Sequence, residues 1–153
     1  MSKGSEAFAA LVAALDLPAE DTRLPDEVKV NDTRLNQFDA SGRFLAVRKG
    51  DTVRNETELG GAEGPVYELA LEAQIIFAVE GEASPEREAA LQSAEDAFFE
   101  ALFSDRTLGG KVDYLDTDGA IERALVQEDR NAKPVAYLSF TLFLFFTSRT
   151  PFG

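Results

Sequence analysis

The sequence predicts an α+β fold: a mostly antiparallel sheet of about four to five strands packed by two main helices. Three observations predict it. From Tyr67 to Val79 the odd positions are Tyr67, Leu69, Leu71, Ala73, Ile75, Phe77 and Val79, while Glu68, Glu72 and Gln74 fall on even ones. Alternation with period two sustained over that length marks a half-buried strand. From Val135 to Ser148 the even positions Leu138, Phe140, Leu142, Leu144 and Phe146 are all large and apolar, which marks a second long strand. Between them, Leu91, Ala94, Phe98, Ala101 and Leu102 recur at helical spacing, widened by Phe99 and Phe103, and define the main core helix.

Taken in order, residues 5–15 form a first helix, because Phe8, Leu11, Val12 and Leu15 share one face and Leu17-Pro18 ends it. Ala19 to Asn36 is a charged connection with a short strand expected at Val28-Lys29-Val30. Arg43 to Arg48 reads as another strand. The polar stretch from Lys49 to Gly64 reads as an extended loop or a loosely held hairpin arm. Ser84-Pro85 opens the core helix, with Ser at the N-cap, Pro at the first helical position, and Glu86 and Glu88 where the helix dipole favours negative charge. Gly109-Gly110 ends its exit turn. A short strand is expected over 111–116, and Ala120 to Val126 is compatible with a turn or a short helix. The whole chain, 1–153, is read as a single domain.

Composition excludes more than any motif includes. Cys and His are both absent. The chain by itself therefore has no disulfide, no thiolate, no Cys/His site for zinc or haem, and no Ser-His-Asp or Cys-His device. The usual general base near neutral pH is missing as well. With 15 basic and 28 acidic residues the net charge is −13, which opposes phosphate binding over most of the surface. Such a charge serves solubility, and it also suits the wall of a channel through which DNA slides without sticking. The N-terminal stretch lacks the apolar core of a signal peptide, and Leu142 to Phe146 is far too short to span a bilayer. The expectation is a protein of the cytoplasm in which it is made, with no membrane partner.

Candidate chemical motifs each give way to a structural reading. Gly60-Gly61-Ala62-Glu63-Gly64 has neither dinucleotide nor P-loop spacing. Asp113, Asp116 and Asp118 do not follow the calcium-loop pattern, and the twelfth position counted from Asp113 is Ala124, not Glu. Glu68 and Glu72 share a strand face but lie roughly 13 Å apart along it, too far to share a proton. Catalytic, cofactor-binding and metal-binding residues are therefore all expected to be none, and no cofactor is implied. More informative is the second face of the last strand, where Phe143 and Phe145 would be costly to expose. A helix of the same chain or a neighbouring subunit has to cover them.

The block Ala97-Phe98-Phe99-Glu100-Ala101-Leu102-Phe103-Ser104-Asp105-Arg106-Thr107-Leu108-Gly109-Gly110-Lys111-Val112 resembles the tail-terminator (tail-completion) proteins of long-tailed phages and gene transfer agents. Members of that family often show a helix ending in Asp-x-x-Leu-Gly-Gly-x-Val, which Asp105, Leu108, Gly109, Gly110 and Val112 match. The alternating strand before that helix, the acidic stretch after it, the final strand ending near Thr147 and the N-terminal Ala/Leu helix also follow the family's order.

What the resemblance implies is a non-enzymatic virion subunit that forms a ring, usually hexameric, at the head-proximal end of a tail tube. Such a ring stops tube polymerisation and offers the docking surface for the filled head. Its implied partners are other copies of itself, the tail-tube protein and a head-tail connector or stopper protein, with DNA passing through without specific binding. For subunit contacts the sequence suggests Phe143, Phe145, Arg54 and Leu59; for the lumen it suggests the acids Asp51, Glu56, Glu58 and Glu63. A connector (neck) or tail-tube subunit is the neighbouring reading, and a small α+β enzyme or ligand-binding module a remoter one, which would need a concave pocket with convergent polar groups.

Overall fold

The computed structural model describes residues 2–16, 29–30, 42–58, 60–61, 64–82, 84–127 and 133–151, with the side chains of residues 29, 30, 55 and 56 outside that description. The elements are α1 (Lys3–Leu15), β1 (Lys29–Val30), β2 (Arg43–Glu58), β3 (Val66–Glu80), α2 (Pro85–Phe103), β4 (Tyr114–Val126) and β5 (Val135–Ser148). The strands form one sheet in the order β1-β2-β3-β5-β4. Every pairing is antiparallel except the short one between β1 and β2. The chain thus has the α+β architecture that its patterning predicts.

Both helices lie on one face of the sheet. That face collects the odd positions of β3 and the even positions of β5: Leu69, Leu71, Ala73, Ile75 and Phe77 meet Leu138, Phe140, Leu142, Leu144 and Phe146 in a single buried cluster. From α1 come Ala7, Phe8, Leu11 and Leu15, and from α2 come Leu91, Ala94, Ala97, Phe98 and Leu102. The helical and strand periods therefore place their apolar sets against each other, as burial of a common core requires. Phe98 is fully buried in α2, edge-on to Phe77 at 5.9 Å and tilted against Phe140 at the same distance. Each such aromatic pair adds about 0.5–1.5 kcal/mol beyond area burial.

The helix ends follow from local chemistry. Ser2 caps α1 by accepting from the Ser5 amide, and Ser84 caps α2 by accepting from the Arg87 amide at 3.1 Å. Arg87 is buried at the start of α2 and donates through Nη1 to the Gly81 carbonyl at 3.0 Å, tying the helix to the end of β3. Lys3 donates to the Thr147 carbonyl at 2.7 Å and fixes α1 over the end of β5.

Two segments differ from their sequence expectations. Lys49 to Glu58 continue β2 and stay paired with Val66 to Ala73, so the polar arm is the second half of a long hairpin. Register shifts after Lys49 and after Arg54 interrupt the ladder, and a Cβ on Gly50 would come within 3.0 Å of the Glu72 carbonyl oxygen. These irregularities, with the polar composition, hide the strand from pattern reading. Ala120 to Val126 is likewise strand, not turn or helix, as the second half of β4. Between Thr117 and Ile121 the register slips around Gly119, at φ +79°, which breaks the alternation that would have revealed it. Strand pairing there begins at Tyr114, three residues later than expected.

Candidate functional site

The face of the sheet opposite the helices divides into three zones. At one end Phe44, Ala46, Ile76 and Ala78 form a second small buried cluster, joined by Val135 and Tyr137. In the middle the face is polar, with Gln74 donating to the Ser139 hydroxyl at 3.2 Å. At the other end the strand register aligns Val53, Ala70, Phe145 and Tyr114 in one row running across β2, β3, β5 and β4. Strands about 4.8 Å apart make this row roughly 14 Å long.

Acidic residues border the row. On one side Glu72, Phe143 and Asp116 form the next row of the same face, and on the other Glu68 stands opposite Glu56 and Thr147. Tyr114 stacks on Phe145 at 4.5 Å and 14° between ring planes, and Phe143 lies 6.4 Å from Phe145. Among the described residues no helix covers these rings. Val53 remains 59 % exposed and Tyr114 44 % exposed, with Phe143 and Phe145 half-buried. Of the two covers expected for Phe143 and Phe145, a helix of the same chain is not found among the described residues, where α1 and α2 both pack on the other face.

The predicted contact residues are partly brought together. Phe143 and Phe145 share the row and its border. Arg54 pairs with Leu69 and therefore lies on the helix side of the hairpin, its guanidinium 5.0 Å from the Tyr67 ring centroid. Leu59 lies outside the described residues. Of the predicted lumen acids, Asp51 sits in the first register shift of β2 and Glu58 at its end, both exposed. They are about 23 Å apart along a straight strand, so they do not make one cluster. The Glu56 side chain and all of Glu63 lie outside the description. Val53, Ala70 and Tyr114 were missed by pattern reading, since only strand register places them beside Phe145.

The Asp105 motif proves to be a turn. The Asp105 carboxylate accepts from the Thr107 hydroxyl at 2.7 Å, the Thr107 amide at 3.1 Å and the Gly109 amide at 2.8 Å. The Thr107 hydroxyl bond leads these interactions in holding its pKa below the ordinary 3.8. Leu108, Gly109 and Gly110 follow with φ of +49°, +69° and +84°. This left-handed run swings Leu108 and Val112 back into the core, where both are buried. The Asp113 amide then donates to the Phe145 carbonyl at 2.7 Å, which delivers Tyr114 onto Phe145. Arg106 steadies the exit, bonded to Asp116 at 3.2 Å and lying 4.9 Å from the Phe103 ring centroid. The motif therefore positions one member of the apolar row, Tyr114.

Among the described residues no group of three or more Asp or Glu side chains is placed to hold a metal ion. No helix among them is long and apolar enough to cross a membrane. No protein-family model matches the chain, and no curated protein matches it significantly.

Proposed function

We propose that this chain is a structural, non-enzymatic subunit of a phage-like particle, one that assembles into a ring at the head-proximal end of a tail tube. There it ends tube polymerisation and gives the filled head its docking surface. The observation that carries the reading is the apolar row Val53–Ala70–Phe145–Tyr114 on the sheet face opposite α1 and α2, with Val53 and Tyr114 exposed. Aromatic surface of this kind, rimmed by polar groups, marks a protein contact. The resemblance of the Asp105–Val112 turn to tail terminators supplies the kind of assembly. The net charge of −13 supports a lumen that lets DNA pass without holding it. In this reading the tube protein and a head-tail connector or stopper are the other partners, and the finished protein resides in the virion.

Mass measurement by light scattering, with electron microscopy of the purified protein alone and with tail tubes, tests this. Closed rings, free or seated on tube ends, are the expected result. Open-ended tubes would instead assign a tube subunit. A protein that remains monomeric under both conditions would overturn the ring.

A further inference from the structure

Asp118-Gly119 is the only Asp-Gly pair in the chain, which has no Asn-Gly pair. It falls where β4 leaves its ladder: pairing with β5 holds to Thr117 and resumes at Ile121, so residues 118–120 lie outside the register. Asp118 and Gly119 are both exposed. Gly119 has φ +79°, and a Cβ built on it would meet nothing within 4 Å, so no packing restrains this peptide.

Two hydrogen bonds organise the slip. The Asp118 Oδ1 accepts from the Ala120 amide at 3.0 Å, an Asx turn that folds the carboxyl group back beside the peptide that follows it. The Gly119 amide donates to the Thr117 hydroxyl at 3.3 Å. A peptide nitrogen placed one residue after an aspartate can attack that side chain and close a five-membered imide. Gly hinders the approach least, having no Cβ. The closure is intramolecular, so orientation takes the place of concentration. As the bond from Gly119 N to Asp118 Cγ forms, negative charge develops on Oδ1, where the Ala120 amide already donates. The proton on the attacking nitrogen points to the Thr117 hydroxyl, which relays it to solvent.

We infer that Asp118 is a site of spontaneous backbone isomerisation, promoted by Thr117 and the Ala120 amide. The carboxylic acid form of Asp118 loses its hydroxyl and Gly119 N loses its proton, together one water, and the imide remains. Water then adds to one of the two ring carbonyls. Opening at Cγ restores aspartate, whereas opening at the main-chain carbonyl leaves Gly119 joined through Cγ and frees the α-carboxylate. No oxidant or reductant is needed, and the final mass equals the starting mass. The product carries one additional main-chain atom, placed in a bulge that the ladder on either side already bypasses.

Incubation of the whole protein at mildly acid pH tests this, with isoaspartate assigned by peptide mapping and by enzymatic methylation. Isoaspartate at 118 should accumulate at least tenfold faster than at any other aspartate, and Asp118→Glu should remove the signal. The rate in the folded protein should equal or exceed that in guanidinium chloride. Thr117→Val should slow the folded rate at least threefold and leave the denatured rate unchanged, with circular dichroism showing that the variant is folded. The comparison of folded with denatured unaltered chain needs no variant. Isoaspartate absent from 118, or formed tenfold faster once the chain is unfolded, would overturn the site. A Thr117→Val rate equal to that of the unaltered chain would overturn the part given to the hydroxyl.

Discussion

The left-handed turn after α2 makes an unusual demand on Leu108, and its consequence for stability is measurable. Leu108 holds φ +49° while its side chain is only 8 % exposed. Truncation to Ala removes the buried isobutyl group, which in protein cores costs about 2–5 kcal/mol; at the rim of this core the lower part of that range applies, about 2–3 kcal/mol. Ala keeps the unfavourable left-handed backbone, which costs an L-residue about 1–2 kcal/mol, whereas Gly does not. After allowing for the greater freedom of Gly in the unfolded chain and one lost methyl, Leu108→Gly should be more stable than Leu108→Ala by about 0.5–1 kcal/mol. At fully buried Leu102, inside α2, the order should invert, with Gly worse than Ala by about 1 kcal/mol. Urea unfolding of the four variants, fitted with a common m-value, reads both differences. An Ala variant at 108 equal to or more stable than the Gly variant would refute the argument that the turn is held in a costly conformation by the burial of Leu108.

Two further outcomes follow from the same geometry. Replacing Phe143 and Phe145 together with Ser removes half of two ring burials and the stack on Tyr114, about 2–4 kcal/mol in the subunit. It should also abolish ring assembly, and unchanged mass and unchanged unfolding midpoint would show that the row is no contact surface. For Asp105, the folded-state pKa lies below the unfolded value of 3.8. Its contribution to stability is therefore complete above that value and is lost as pH falls through the lower folded value. Asp105→Asn should lower stability near neutrality and flatten the decline below about pH 4, as read from urea midpoints across pH 2.5–7; an unaltered acid limb would contradict it.

Much of the fold was legible in the chain because local rules and tertiary packing agree over its strongest elements. β3 and β5 announce themselves through alternation, and α2 through its Ser84-Pro85 start and its stripe from Leu91 to Leu102. Sequence alone also determined that the chain lacks Cys and His chemistry and carries a net charge of −13. The motif at Asp105 could be recognised as a pattern, but its work as a carboxylate-stapled turn could not, since that depends on three bonds closing within one loop. Register was the information missing. A slip at Gly119 and two in β2 break the period-two pattern, so the outer strands looked shorter than they are. Only pairing across strands sets Val53, Ala70, Phe145 and Tyr114 in one row, and only tertiary packing puts that row on the face opposite α1 and α2. Such facts are non-local: each residue's alternation fixes which face it takes within its own strand, whereas its neighbours on that face come from strands far away in the chain.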